Sequence, residues 1–173
     1  MSEPLDWAHG LAEIGESGLE RERLASEAER AAVARMLDIV AVTDLRASYG
    51  IQPLGRGRYR LAGEIDAGVT QSCVVTLEPV AGRIAERFEA EFMPASDLAR
   101  AERQHEETEA LAAADLEPIV HDRIEVGRIV YEHVAAALDP YPRKEGASLQ
   151  QADPEAGERE GPFAVLSKLT PRR

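Results

Sequence analysis

Cys73 is the only cysteine in the chain, so neither an internal disulfide framework nor a zinc site built from cysteines alone is open to it. No apolar run approaches the roughly 18 residues that would read as a membrane span. Met1 to Asp6 carry acids where a secretion signal carries basic residues, and the expectation is a protein that stays in the cytoplasm. Positive charge is also short. Twenty Lys and Arg face 32 Asp and Glu, and the formal net charge of −12 repels phosphate polymers unless the cations are gathered locally. H-E-x-x-H, G-x-G-x-x-G, the Walker loop and G-x-S-x-G do not occur, and the carboxylates lie in solvated acidic runs. The sequence therefore reads as non-catalytic, with no cofactor and no metal.

What is present is an ordinary globular composition, 44% apolar and 30% charged over 173 residues, enough for one domain with a real core. Residues 1–23 mix Gly, Glu and Ser without a sustained period and read as a flexible arm. Ser26 and Glu29 have the spacing of a capping box, and Ala28, Ala32, Val33, Met36 and Leu37 follow as an apolar stripe on a helix.

From about Ile39 the period changes to two. Ala41, Leu45, Ala47, Tyr49 and Ile51 share one parity and Asp44, Arg46 and Ser48 the other, the pattern of a half-buried strand. Pro53 to Gly57 supplies a turn. A second strand carries Tyr59, Leu61, Ile65, Ala67, Val69 and Cys73 on its apolar side, with a bulge or bend expected at Gly63 or Gly68. Val74 to Leu77 extends that strand or begins its neighbour, Pro79 to Gly82 turns, and Ile84, Phe88, Ala90 and Phe92 alternate in a third.

Pro94 to Asp115 is acidic and alanine-rich and reads as a mobile excursion. A fourth strand is expected at Leu116 to His121. Asp122 and Glu125 repeat the capping-box spacing before a helix bearing Val126, Ile129, Val130, Val134, Ala137 and Leu138 on one side. The fold expected is α+β: an antiparallel curled sheet or partial barrel flanked by an N-terminal and a C-terminal amphipathic helix, in one domain over 24–142. Residues 143–160 form an acidic linker. Residues 161–173 close the chain with three cations and no acid, and Pro162 suits the first turn of a short helix that places Phe163, Leu166 and Leu169 on one side.

The candidate contact residues are cationic and apolar. Arg46, Arg58, Arg60, Arg83 and Arg87 fall on the parity opposite the apolar side chains, with Arg56 in the joining turn; guanidinium forks on a sheet suit phosphate. Asp44, Glu64, Asp66, Glu86 and Glu89 interleave with them, which is equally the pattern of a solvated outer face. No aromatics interleave to stack on bases, so any RNA contact would be to backbone and shape. Phe163, Leu166, Lys168 and Leu169 are the second candidate, for docking on the chain's own domain or on a partner. The four histidines His9, His105, His121 and His133 are scattered without metal-ligand spacing; His133 reads as a satisfied helix residue and His121 as a local hydrogen-bond partner beside Asp122. Cys73, among apolar neighbours, reads as a buried and inert thiol.

Three segments in order resemble the bacterial YceD family, named for large ribosomal RNA subunit accumulation. They are Gly57–Val80, the helix ending in Leu138-Asp-Pro-Tyr-Pro-Arg-Lys144, and Gly161-Pro-Phe-Ala-Val-Leu-Ser-Lys-Leu169; the likeness covers roughly 37–169. The resemblance implies a non-enzymatic role in ribosome biogenesis, with large-subunit ribosomal RNA or a basic ribosomal protein as partner. Many relatives carry a C-x-x-C pair at the segment matching Cys73 to Thr76. This sequence has threonine in the second place, so no metal role carries over. The alternatives are a small-molecule-binding curled sheet, enclosing its ligand around Tyr59, Cys73, Phe88 and Phe92, and a protein–protein adaptor working through the C-terminal segment.

Overall fold

The long alternating stretches become long strands. A computed structural model describes residues 4–98 and 116–148. Along the chain the elements are β1 (Ala8–Gly10), β2 (Leu19–Leu24), α1 (Glu27–Met36), β3 (Ala41–Gly55), β4 (Arg58–Ser72), β5 (Pro79–Pro94), β6 (Leu116–Ile119), β7 (Arg123–Glu125) and α2 (Val126–Ala137), with a 3₁₀ turn at Leu11–Glu13. Five strands form one sheet in the order β2-β3-β4-β5-β6, and β1 pairs with β7 in a separate ribbon.

Register explains the two faces. Ala47 stands opposite Ile65, Ile51 opposite Leu61, Leu61 opposite Ala90 and Tyr59 opposite Phe92, so the apolar parity of three strands falls on one side. The β3–β4 hairpin turns on Arg56 and Gly57, both in the left-handed region at φ 54° and 72°, the two-residue turn whose twist suits antiparallel strands. Gly63 lies between Tyr49 and Phe88, and a Cβ there would stand 2.7 Å from Tyr49 Cβ and 2.8 Å from the Phe88 ring, so the position admits no side chain.

The apolar side is covered by helices. Ser26 caps α1 with the full reciprocal capping box, its hydroxyl accepting from the Glu29 N–H while the Glu29 carboxylate accepts from the Ser26 N–H. α1 packs on β3 through Val33 and Ala34, and α2 packs on β5 and β4 with Val126, Ile129, Val130 and Val134 buried. Ala28 and Met36, expected on the apolar stripe of α1, are exposed.

Several expectations are corrected. The sheet is open, since β2 and β6 are its two edges and do not pair, so it is not a barrel. β6 runs parallel to β5, where an antiparallel neighbour was expected. Residues 74–77 are a turn rather than strand, and β5 starts at Pro79, where a turn was expected. The register shifts twice, in β3 between Val42 and Asp44, opposite Val69 and Gly68, and again between Pro53 and Gly55, so an irregularity falls beside Gly68 and none at Gly63. Glu125 occupies the cap position of α2 without a side-chain cap hydrogen bond, and Asp122 instead lies in a left-handed turn at φ 55°.

The largest difference is at the start of the chain. Residues 4–23, expected as a loose arm, hold β1, β2 and core residues: Leu5 and Trp7 are 0% and 2% exposed. The Trp7 indole N–H donates to Glu29 Oε1 at 2.8 Å, and the Gly127 N–H donates to the Trp7 carbonyl at 2.9 Å. A Cβ on Gly127 would collide with the Leu5 carbonyl, so glycine at the start of α2 is what lets the N-terminal segment lie down there. The linker reading of 143–160 lies outside the described residues from 149 on, the excursion reading of 94–115 from 99 on, and the terminal motif at 161–173 entirely.

Candidate interaction surface

The face of the sheet away from the helices carries the arginines. Arg46 on β3, Arg58 and Arg60 on β4, and Arg83 and Arg87 on β5 all project from it, as the alternation requires, and Arg56 is exposed in the hairpin turn. They do not stand as an unpaired cationic patch. Arg46 pairs with Glu22 at 3.1 Å, Arg60 with Glu89 at 2.7 Å, Arg87 with Glu64 at 3.0 Å, Arg83 with Asp44 at 2.7 Å and also with Asp66, and Arg58 with Glu91. Arg87 and Glu64 stand directly opposite in register, Arg46–Glu22, Arg58–Glu91, Arg60–Glu89 and Arg83–Asp66 are diagonal cross-strand neighbours, and Arg83 reaches Asp44 over Gly68. The pairing holds the Glu89 carboxyl below its ordinary range, the Arg60 hydrogen bond being the cause, and raises Arg60 correspondingly. Glu86, expected among these acids, falls on the other parity, opposite Ile65, and is nonetheless exposed.

Between these ion pairs run short side chains. Ser48, Gly50, Ala62 and Ala85 line the middle of the face, and a shallow hollow of about 670 Å³ opens over Asp44, Arg46, Asp66, Arg83 and Arg87, with Leu24 at its edge. A surface of alternating guanidinium and carboxylate around small residues offers both donors and acceptors, and its exposed pairs open at little cost. Bare phosphate gains least there, because each arginine engaged by a phosphate must leave a carboxylate behind it. The inner side, around Phe88 and Phe92, is packed by the helices and the N-terminal segment into one apolar core.

Cys73 departs from the inert thiol expected. It is buried, yet its Sγ accepts three backbone N–H groups, from Val75, Thr76 and Lys144, each at 3.4 Å. Those donors, the Lys144 N–H foremost and the Thr76 hydroxyl and N–H next, lower the thiol to about 6, against a smaller opposing effect of burial. The turn is closed by Leu77 N–H to Cys73 O at 3.0 Å and tied to the segment after α2 by Val74 N–H to Pro142 O at 2.9 Å. Such a cradle suits a thiolate. It does not fit a zinc ion, because Thr76 stands in the second position and no group of three His, Cys, Asp or Glu gathers as ligands among the described residues.

Sequence reasoning placed His9 and Tyr49 apart and did not join them. His9 Nε2 lies 2.8 Å from the Tyr49 hydroxyl, and its Nδ1 lies 3.4 Å from Glu13. The carboxylate places the ring proton on Nδ1, so the Tyr49 hydroxyl donates to Nε2. Burial lowers the His9 pKa against the opposing pull of Glu13. His133 is held as expected, hydrogen-bonded to Ile129 O at 2.9 Å and tilted against Phe88. His121 sits in a left-handed turn at φ 51°.

The architecture is thus that of an α+β scaffold with one face closed by helices and one open. The family described as large ribosomal RNA subunit accumulation protein YceD matches residues 61–170, and the chain belongs to that family. No curated protein and no solved structure matches it. The matched span begins in β4 and takes in the Cys73 turn, α2 and the 161–169 segment; the N-terminal segment, α1 and β3 precede it. The family's description names accumulation of an RNA and no reaction.

Proposed function

We propose that the protein supports large-subunit ribosomal RNA accumulation by adhesion, in the bacterial cytoplasm, and that the open sheet face meets a ribosomal protein in the assembling particle rather than naked RNA. Membership of the YceD family carries the reading. The choice of partner rests on the ion pairs, since Arg46, Arg58, Arg60, Arg83 and Arg87 are each engaged by a carboxylate and net charge works against phosphate. A partner with its own basic and acidic side chains exchanges pairs with this face without stranding a charge, which favours specificity. Nothing in the reading needs catalysis, a metal or a small-molecule substrate.

Cross-linking in cells with the full chain tests the proposal, followed by sequencing of the recovered RNA and mass spectrometry of the recovered protein. Large-subunit ribosomal proteins enriched over a mock sample, and reduced by Arg83→Glu with Arg87→Glu, are expected. Recovery of RNA alone, with affinity falling steeply as salt rises, would shift the contact to phosphate. If neither class is enriched, the functional reading fails.

A further inference from the structure

At the end of the sheet where the Cys73 turn meets the segment after α2, three large apolar side chains stand in water. Val74 is 47%, Leu77 79% and Tyr141 71% exposed, and the Val74 N–H to Pro142 O hydrogen bond joins the two segments that carry them. Val40, which precedes the Ala41–Thr70 pair at this end of the sheet, is exposed as well. Val74, Leu77 and Tyr141, on two segments joined by that hydrogen bond, form an exposed apolar cluster of the kind that on a monomer marks an interaction site. Leu77 also has φ 61°, a conformation a branched side chain rarely adopts. The backbone is held there by the Cys73 turn, and the result points leucine outward.

What covers this patch follows from where the chain goes next. Lys144 is fixed on Cys73 Sγ, the Ala147 N–H donates to Lys144 O, and the described residues end at Ser148, so the chain leaves from beside the patch. Twelve residues, 149–160, separate it from the next apolar stretch, and twelve residues of chain reach at most about 43 Å, ample to bring that stretch back to the patch. That stretch repeats its large apolar residues at Phe163, Leu166 and Leu169. Its cations Lys168, Arg172 and Arg173 are opposite in sign to Asp139, which accepts from the Tyr141 N–H at the patch, while Glu78 is already paired with Lys144.

We propose that residues 161–169 fold back on this patch, seating Phe163, Leu166 and Leu169 against Val74, Leu77 and Tyr141. Held by so short a tether, the segment acts at an effective concentration in the millimolar range. A partner that binds either surface competes with this self-contact.

Amide hydrogen exchange on the purified full chain tests this without any ribosomal component, and so stands apart from the functional proposal. Phe163→Glu with Leu166→Glu is expected to speed exchange several-fold at residues 73–78 and 139–147, leaving the rest of the sheet unchanged. Leu77→Glu is expected to make residues 149–173 cleave faster under limited proteolysis, and the combined variant adds nothing further to either readout. Unchanged exchange at 73–78 in the Phe163/Leu166 variant overturns the proposal. So does protection that depends on protein concentration, which would assign the patch to a second copy, and so does protection that appears only when a partner is added.

Discussion

The backbone N–H of Lys144 points at the sulfur of Cys73 at 3.4 Å, across 71 residues of chain. That contact welds the turn after β4 to the segment leaving α2, and it makes one thiol the junction of two parts of the fold. The sulfur is at its best as an acceptor when ionised.

Stability should therefore depend on pH through Cys73. In the unfolded chain the thiol titrates near about 8.5, and in the folded protein at about 6. Its contribution is full above the unfolded value and is lost as pH falls through the folded one. Guanidinium unfolding of the wild type and Cys73→Ala is expected to show a stability gap that narrows on acidification from about pH 8.5 to about pH 5.5. A gap independent of pH would mean that the thiolate contributes nothing.

The N-terminal segment is part of the core. Trp7→Ala removes a side chain that is 2% exposed and leaves Glu29 without its indole donor; a cost of about 3–5 kcal/mol is expected in urea unfolding. Gly127→Ala should act on the same contact from the other side by displacing Leu5. Loss of less than about 1 kcal/mol in both would show the segment to be a loose attachment.

Burial opposes the charge on Glu29, but the Ser26 N–H and hydroxyl and the Trp7 indole outweigh it and lower its pKa. With the folded pKa below the unfolded one, Glu29 contributes above about pH 4.3, and that contribution is lost as pH falls further. Glu29→Gln is expected to flatten this acid limb of the stability profile. An unchanged acid limb would assign the loss to other carboxylates.

His9 gives a second slope at higher pH. Burial lowers its pKa, while Glu13 pulls the other way and Arg21 and Arg23 add to the lowering. The neutral ring is what Tyr49 donates to, so stability is full above roughly pH 6.5 and declines as pH falls through the lowered folded pKa. His9→Gln should remove that decline, read by thermal unfolding across the range. A decline that persists in the variant would place its origin elsewhere.

The ion-paired face should matter little to folding. Arg83→Ala opens both the Asp44 and the Asp66 contact on an exposed surface, and a loss below about 1 kcal/mol is expected by chemical denaturation. A larger loss would make the face structural and remove it as a site free to exchange partners.

The strands were legible because a half-buried strand writes its two faces at period two: Leu61, Ile65, Ala67 and Val69 all point inward, as that alternation requires. The helix around Ile129 and Val130 and the capping box at Ser26 were legible for similar local reasons. The direction of β6 was not, because four residues carry no sign of whether their neighbour runs with them or against them. The N-terminal segment was misjudged because its burial depends on partners far along the chain. Trp7 finds Glu29, His9 finds Tyr49 and Leu5 finds Gly127. The one readable hint was the lone tryptophan, a residue rarely left in water. At the candidate face the sequence placed Arg46, Arg58, Arg60, Arg83 and Arg87 on one side, and it also showed the interleaved acids. Which acid meets which arginine is a matter of register, and only the paired strands supply it.

The boundary of the family match at residue 61 does not coincide with a boundary of the fold. A fragment cut there would lose β3, the partner of nearly the whole length of β4, and with it α1 and the tryptophan anchor. It would present a long, raw strand margin bearing Leu61, Ile65 and Val69 to its neighbours, an invitation to stick to copies of itself. Residues 4–60, which precede the family match, thus cover the long margin of β4 and complete the core beneath the shared portion.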